Sequence, residues 1–467
     1  MSKICFLIPD GVGIRNYLYS DVIKDLASQG HEVIIWHGLS PRVIELSAEI
    51  TGYHAEQKSF KTFKEDLVVQ ILRESSTYAR LKHNSIKTDN PTIMLNWHEK
   101  VGPLRRRALV AVSEFLGNRI KGYQGIQSTE KIYFSRLKKT EAYRQYISDL
   151  HEMNPDVLYC THQRYPGAAF ALEAAKDLGI TTVTGIFSWD NLPKARLPLR
   201  SDYYTVWSDY MKSELMYYYP EISEEQIAIT GTPQFDFYSE EESIMDRDKF
   251  AEAFDLDPKK QWVCFSGCDA KTSPHDAKYL EDVADAIKGE DDIQLLFRQV
   301  PVETAKRYES VLLNHPEIKH LPPFWNKGSH WNEFYPLPKD ISHLVNLSYH
   351  CATVINIGST MALDFSWFNS PGLYLNYDHE IGQVWTVKDI YQFQHFRSMK
   401  GLDAVVWANS KQEILPQVRA ILDNPDEVAK DRGEWLKVIS GEISDKSASA
   451  RISNLLENLS HKAETVV

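Results

Sequence analysis

Short apolar runs alternate with amphipathic segments along most of the chain. Residues 4–8 are apolar throughout, as expected of a strand that is buried on both faces of a parallel sheet. The pattern next predicts a helix near residues 17–29, which Gly30 ends, and a second strand over residues 31–36. A strand, a helix and a strand in this order are typical of doubly wound α/β structure.

The same order returns twice further along the chain. One series predicts strands over 156–160, 181–187, 203–207 and 227–230, with helices over 167–178 and 209–219. Another predicts strands over 262–266, 293–297, 351–357 and 372–377, with helices over 277–287, 360–368 and 414–422. A final helix is expected near residues 448–459. The sequence therefore predicts an α/β protein with two Rossmann-like, doubly wound domains.

The charged residues 239–248 indicate where the two domains separate. We place the N-terminal domain at residues 1–238, a linker at 239–258 and the C-terminal domain at 259–435. Residues 436–467 are expected to form helices that pack back on the N-terminal domain.

A helical, basic insertion is expected within the first domain, at about residues 55–150. Residues 100–150 hold eleven Lys and Arg but only four Asp and Glu. The insertion is either a solvated helical cap or a basic amphipathic surface that meets an anionic lipid or a lipid-linked phosphate.

The whole chain, by contrast, is acidic. Its 467 residues include 52 Lys+Arg and 64 Asp+Glu, for a formal net charge of −12. This balance argues against a general nucleic-acid-binding protein, because phosphate neutralisation requires clustered positive charge. Five scattered cysteines are typical of reduced thiols, and no second pair accompanies Cys264 and Cys268 at zinc spacing, so no metal is expected. No apolar run reaches the ~18 residues of a membrane-spanning helix and no signal peptide is evident, so we expect a cytoplasmic protein.

The strongest candidate site lies in the second domain, where a predicted strand ends at Gly358. Ser359 and Thr360 then begin a helix, whose free N–H groups and dipole make a seat for an anion such as a phosphate. Asp364 follows one turn later, where a carboxylate can accept hydrogen bonds from ribose hydroxyls. Simple capping of the helix by Ser359 or Thr360 is the structural alternative.

Two other strand ends of this domain should face the same site. Gly267 allows a phosphate or a base to approach closely, and Arg298 can neutralise a diphosphate through its planar guanidinium. His275 is either a ligand of a donor phosphate or a surface histidine of a loop.

The first domain supplies three candidates for a general base, each just after a predicted strand: Asp10, His162 and Asp190. Each of them is alternatively a structural polar group with its hydrogen bonds satisfied. A dinucleotide fingerprint would need glycine at 11, 13 and 16, but residue 16 is Asn, which disfavours a redox enzyme. The sequence also lacks the G-x-S-x-G, P-loop and H-E-x-x-H motifs, which disfavours serine hydrolases, P-loop kinases and zincins.

In these motifs the chain resembles the GT-B glycosyltransferases, which pair two Rossmann-like domains across a donor–acceptor cleft. Residues 358–364 and 369–375 look like the donor-binding helix of that family and the strand after it. The stretch through residue 378 is also similar to the C-terminal part of CDP-glycerol glycerophosphotransferases. Residues 188–192, 206–208 and 229–236 look like bacterial surface-carbohydrate biosynthesis proteins of this class. The resemblance covers residues 1–40 and 155–460.

The resemblance implies a donor site in the C-terminal domain. Gly267, Arg298, Ser359 and Thr360 would hold the nucleotide diphosphate, Asp364 would bind the ribose, and no metal would be needed. The chain departs from the pattern at Val300, because the glycerophosphotransferases and several CMP-sugar transferases carry a His-Pro pair there. This departure weakens a cytidine nucleotide and favours a UDP- or GDP-sugar.

The predicted function is therefore a glycosyltransferase that moves a sugar from a nucleotide-sugar to a hydroxyl of a cell-surface glycan or a polyprenyl-linked acceptor. The alternatives are a UDP-sugar 2-epimerase of the same fold, a CDP-glycerol-type phosphotransferase and a non-catalytic nucleotide- or sugar-binding protein. Peripheral contact with the inner face of the membrane through residues 100–150 is a further expectation, and nucleic acid is not expected as a partner.

Overall fold

The computed structural model describes residues 1–60, 63–328, 333–379, 385–442 and 446–464. Two compact units divide the chain. The first comprises residues 1–234, 328–335 and 439–467, and the second comprises residues 235–327 and 336–438. The last helix of the chain thus belongs to the first unit.

A parallel sheet forms the centre of the first unit. Its strands are β1 (Lys3–Ile8), β2 (Glu32–His37), β3 (Glu56–Ser59), β4 (Val157–Cys160), β5 (Thr181–Gly185), β6 (Tyr203–Val206) and β7 (Ile227–Ile229). Within the described residues, their order is β3-β2-β1-β4-β5-β6-β7. Strand β1 therefore lies beside β4, with Ile4 opposite Val157, although more than 150 residues separate them. This order sets the carboxyl ends of β1, β4 and β5 side by side.

Helices connect and cover these strands. They are α1 (Val22–Ser28), α2 (Pro41–Thr51), α3 (Leu67–Lys87), α4 (Leu104–Gly117), α5 (Gly122–Leu137), α6 (Glu141–Met153), α7 (Pro166–Asp177) and α8 (Asp209–Tyr218). The helices α3 to α6 form the predicted insertion, in which α4 and α5 both pack on α3.

The second unit repeats the architecture. Its main strands are β8 (Gln261–Ser266), β9 (Ile293–Arg298), β10 (Lys319–His320), β13 (Thr353–Asn356), β14 (Gly372–Leu375) and β15 (Val406–Ala408), in the parallel order β10-β9-β8-β13-β14-β15. Two short strands, β11 (Trp325–Asn326) and β12 (Tyr335–Pro336), lie between β10 and β13 along the chain.

Nine further helices complete the described chain. They are α9 (Arg247–Phe254), α10 (Asp276–Ile287), α11 (Glu309–Asn314), α12 (Pro338–His350), α13 (Met361–Trp367), α14 (Val387–Tyr391), α15 (Ile414–Asp423), α16 (Arg432–Ser440) and α17 (Ala448–Glu464). None of the described helices combines the length and the apolar composition that crossing a bilayer requires.

The predicted strands lie within two residues of the observed ones at each end, because long apolar runs mark them clearly. The apolar pattern did not predict β3, since the polar residues 56–59 form this edge strand beside β2 and the helices of the insertion follow it. One expectation was wrong, because the helix predicted near residues 17–29 is shorter. The Asp10 side chain accepts the backbone N–H of Val12 and starts tight turns over residues 11–18, so the α-helix proper begins at Val22.

Candidate functional site

Two of the predicted acid–base residues meet at the carboxyl edge of the first sheet. Asp10 follows β1 and His162 follows the neighbouring strand β4, and Asp10 Oδ2 lies 2.9 Å from His162 Nδ1. The other oxygen of Asp10 accepts the N–H of Val12 at 3.1 Å. A proton on Nδ1 satisfies this pair, so Nε2 keeps its lone pair. Among the described residues none bonds Nε2, which leaves it able to accept a proton from a substrate.

Packing holds the imidazole of His162 in this orientation. The ring of Phe187 meets it edge to face, with the centroids 4.8 Å apart. The side chains of Asp10 and His162 are 12% and 14% exposed, so both are largely buried but still accessible to a substrate. A carboxylate behind a histidine fixes the tautomer and stabilises the imidazolium that forms when the ring takes a proton. The geometry is that of an oriented general base.

The third candidate, Asp190, has a different environment. Its carboxylate forms an ion pair with Lys194 and accepts hydrogen bonds from Ser188 Oγ at 2.7 Å and from Asn191 Nδ2 at 3.1 Å. These contacts close the turn after β5. The structure therefore brings Asp10 and His162 together and gives Asp190 a local role in the turn.

Two arginines, Arg15 and Arg164, lie in the segments that follow β1 and β4. Arg164 Nη1 donates to the amide oxygen of Asn191 at 3.4 Å, and Arg15 Nη2 donates to the amide oxygen of Gln234 at 2.6 Å. Neither guanidinium forms an ion pair within the described part of the chain. Burial lowers the pKa of Arg164, and the nearby charges of Asp190 and Asp10 offset this effect in part. Sequence reasoning missed Arg164, although it follows His162 by only two residues in the same strand-end loop.

A buried acid lies behind this edge of the sheet. Glu214 is on α8 and is 8% exposed. Burial, together with the charge of Asp190, raises the pKa of Glu214 to about 8. The sequence showed no signal for this, because a glutamate in an amphipathic helix ordinarily faces solvent.

In the second unit, the predicted anion seat after β13 is partly closed by its own side chains. Asn356 Oδ1 accepts the N–H of Ser359 at 2.9 Å, and Ser359 Oγ accepts the N–H of Met361 at 3.3 Å. Gly358 has φ +62°, and a Cβ there would lie 3.0 Å from the ring of Phe396. Thr360 is exposed. The Ser359 hydroxyl thus accepts the first N–H of the helix that starts at Met361, much as in the structural alternative, and a ligand at Ser359 or Thr360 stays a prediction.

Asp364 is buried on α13. It accepts a hydrogen bond from the hydroxyl of Tyr238 at 2.8 Å, within the same unit. Its predicted contact with a ribose stays a prediction, but the structure already gives the carboxylate a hydroxyl partner.

Arg298 does not present its guanidinium to an open site. It is 4% exposed, and its Nη2 donates to both oxygens of Asp340, at 2.9 and 3.0 Å. Its Nη1 lies 3.2 Å from His343 Nδ1. Burial and the Arg298 charge lower the pKa of His343 to about 3, so the imidazole stays neutral and accepts this bond. The diphosphate role predicted for Arg298 is therefore at odds with its geometry, because its charge is already neutralised in the interior.

Gly267 and His275 also have structural neighbours. A Cβ at Gly267 would lie 2.8 Å from the hydroxyl of Tyr308. That hydroxyl donates to Asp276 at 2.6 Å, and burial raises the pKa of Asp276 to about 6. His275 precedes α10 and packs edge to face on Trp385, with the ring centroids 5.8 Å apart. Packing alone thus explains the glycine, and donor contacts of Gly267 and His275 stay predictions.

The chain matches no protein-family model and no curated protein in the comparisons made. Solved structures do match it over nearly its full length. The UDP-GlcNAc 2-epimerase of Methanocaldococcus jannaschii is 11% identical, covering 98% of this chain and 99% of that chain with a TM-score of 0.54. Staphylococcus aureus MnaA, solved with UDP, is 12% identical, covering 98% and 96% with a TM-score of 0.53. A glycosyltransferase of Rickettsia africae is 11% identical, covering 98% of each chain with a TM-score of 0.53.

At this identity the likeness shows the fold. The chain has the α/β, GT-B type fold that the sequence predicted, with two Rossmann-like units. Several of the similar structures are UDP-GlcNAc 2-epimerases, and one is a glycosyltransferase. They give no support to the similarity with CDP-glycerol glycerophosphotransferases. The chain thus has the fold of enzymes that act on nucleotide-sugars.

Proposed function

We propose that this chain is an enzyme that acts on a UDP-sugar and breaks the bond between the anomeric carbon and the diphosphate. The observation that carries the proposal is the Asp10–His162 pair, with its 2.9 Å contact and its unbonded Nε2. The similar structures solved with UDP or UDP-GlcNAc support uridine as the base.

Sugar transfer is the reaction that this pair fits best. His162 Nε2 would remove the proton from an acceptor hydroxyl, whose oxygen then attacks the anomeric carbon while UDP leaves. The proton stays on the imidazole, and the carboxylate of Asp10 stabilises the resulting imidazolium. Arg164 would face the anionic part of the substrate, since it follows His162 by two residues and forms no ion pair within the described part of the chain. A hydroxyl of a cell-surface glycan or a lipid-linked saccharide is the proposed acceptor.

Epimerisation at carbon 2 of a UDP-sugar is the second candidate, favoured by the similarity to UDP-GlcNAc 2-epimerases. His162 would take the hydrogen at carbon 2 as a proton, while the electron pair of that bond forms a double bond to carbon 1 and UDP leaves with the electrons of the anomeric bond. Return of UDP to carbon 1 and of a proton to the opposite face of carbon 2 then gives the 2-epimer. No acceptor takes part.

One experiment tests the proposal and separates the two reactions. The protein is incubated with UDP-GlcNAc or UDP-glucose in D₂O, with and without a mixture of saccharide acceptors, and followed by NMR. Release of UDP only when acceptor is present shows transfer. A 2-epimer with deuterium at carbon 2 shows epimerisation.

The controls are two histidine variants. His162→Ala should remove either activity, whereas His151→Ala, an exposed position on α6, should leave it unchanged. If no UDP-sugar reacted and none raised the melting temperature of the protein, the proposal would be refuted, and a protein without this activity would be favoured.

A further inference from the structure

The helix α4 has an outward face that is both apolar and basic. Its inner side packs into the first unit through Val110, Ser113 and Gly117, which are buried. On the opposite side, Leu104 is 80% exposed, Val112 42% and Phe115 57%. These three positions are spaced by eight and three residues, so they share one side of the helix. We call this surface, together with the three exposed arginines at 105, 106 and 107 that surround the first turn of the helix, the α4 outer face.

The arginines supply its charge. Arg105, Arg106 and Arg107 are exposed, and within the described part of the chain they form no ion pair or side-chain hydrogen bond. Arg119 lies over the ring of Phe115, with its guanidinium carbon 3.4 Å from the ring centroid. Positive charge therefore borders the apolar side chains at both ends of the helix.

Acidic residues are scarce around this face. Residues 100–121 hold six Lys and Arg and a single acid, Glu114. Glu114 is engaged elsewhere, since it accepts from Trp97 Nε1 at 3.0 Å and pairs with Lys100 at 2.6 Å. A merely solvated cap would turn polar residues outward and bury its apolar ones, whereas α4 exposes a leucine, a valine and a phenylalanine. The surrounding chain, with its net charge of −12, makes the local excess of cations more distinctive.

We propose that the α4 outer face docks on an anionic lipid bilayer. Leu104, Val112 and Phe115 enter the boundary between headgroups and acyl chains, and the three arginines bind lipid phosphates. Charge complementarity selects this occupant. A second copy of the chain in a symmetric dimer would bring identical arginine clusters together and repel. The proposal does not depend on the catalytic activity proposed above.

Vesicle co-sedimentation of the full chain tests the proposal. One set of vesicles contains phosphatidylcholine only, and another contains 30% phosphatidylglycerol, both in about 0.1 M salt. We expect binding to the anionic vesicles and little to the neutral ones. Replacing Arg105, Arg106 and Arg107 by Gln should lower the binding constant about a hundredfold. Leu104→Ser with Phe115→Ser should lower it about tenfold or more, since two apolar anchors are lost.

A matched control removes the same charge elsewhere. Lys249, Lys259 and Lys288 are exposed lysines of the second unit, and replacing all three by Gln should leave vesicle binding within about twofold. Circular dichroism and melting temperature confirm that each variant is folded. Equal binding to both vesicle types, no binding, or arginine variants that bind like the wild type would overturn the proposal. Sedimentation velocity provides a further test. If the Leu104→Ser, Phe115→Ser variant changed its oligomeric state but still bound vesicles, a second copy of the chain would be the partner of this face and the proposal would be wrong.

Discussion

Replacing Asp340 by Ala should destabilise the second unit by about 3–5 kcal/mol, because it leaves a buried guanidinium without a counter-charge. The carboxylate of Asp340 accepts two hydrogen bonds from Arg298, at 2.9 and 3.0 Å. It also accepts the backbone N–H of Phe324 at 2.7 Å and the indole N–H of Trp325 at 2.8 Å. One side chain therefore neutralises a cation and satisfies two further donors. Its removal affects all four bonds at once.

A double-substitution cycle shows how much of this loss comes from the isolated charge. Replacing Arg298 by Met and Asp340 by Leu together should recover part of the stability, because a buried ion pair replaced by apolar side chains of similar size is often close to neutral. The N–H groups of Phe324 and Trp325 still lose their acceptor in this variant, so the recovery stays incomplete. The measurement is urea-induced unfolding followed by tryptophan fluorescence. The exposed pair of Lys430 and Glu427 provides the control, and Glu427→Ala should cost at most about 1 kcal/mol.

The same variants decide between a structural and a ligand-binding Arg298. With a structural role, the Arg298→Met, Asp340→Leu protein should still gain melting temperature from UDP. Wild-type stability of Asp340→Ala would contradict the reasoning. An Arg298→Met variant that is as stable as the wild type but no longer binds UDP would also contradict it. That result would place Arg298 in the donor site, as the sequence predicted.

Three further predictions concern the first unit. Asp10→Asn and His162→Ala should lower kcat roughly 10²–10⁴-fold in the NMR assay while UDP-sugar binding by calorimetry persists, because only the proton transfer is lost. Arg164→Gln should raise KM about tenfold with a smaller change in kcat, and Arg164→Lys should recover part of the loss, as expected of a cation that binds an anionic group. In the folded chain the pKa of Glu214 is about 8, whereas in the unfolded chain a glutamate ionises at about pH 4.3. The wild type should therefore lose stability as the pH rises from about 4.3 to about 8, because only the unfolded chain releases the proton there. Glu214→Gln should remove this pH dependence and be more stable than the wild type by over about 1 kcal/mol at pH 8.5. If the stability of the variant and of the wild type changed equally with pH, the raised pKa of Glu214 would be contradicted.

The strands and the location of Asp10 and His162 could be predicted from local pattern. Apolar runs such as residues 4–8 mark buried strands, and a polar residue directly after such a run must lie at the carboxyl edge of a parallel sheet. That reasoning placed Asp10 and His162 at one edge. It could not show that they touch, because contact depends on β1 lying beside β4, and strand order across an insertion of some ninety residues is not written in local periodicity.

The contacts of Arg298 lay beyond the reach of the sequence for a related reason. Its position at the end of β9 was predicted correctly, but a side chain there can face an open edge or the helices that cover the sheet. The orientation of Arg298 is determined by its ion pair with Asp340, which lies 42 residues later in the first turn of α12. Glu214 was missed likewise, since its burial depends on what α8 packs against. Tertiary partners, which single-sequence patterns do not contain, decide whether a charged residue is a ligand or a core ion pair.

Transfer and epimerisation make different demands on the residues around His162, and Asp190 distinguishes them. Transfer needs one base, which Asp10 and His162 supply. Inversion at carbon 2 needs a proton acceptor on one face of the sugar and a donor on the other, so a second acid–base group must act. Asp190, held by Lys194 and Ser188, is poorly placed for that task.

We therefore expect Asp190→Asn to keep at least about a tenth of wild-type activity, because the amide preserves the size of the side chain and most contacts of the turn. The NMR assay with UDP-sugar and acceptor, after the melting temperature has shown the variant to be folded, measures it. A folded Asp190→Asn protein as inactive as His162→Ala would mean that the reaction uses two acid–base groups. That outcome would favour epimerisation over transfer, because transfer needs only one base.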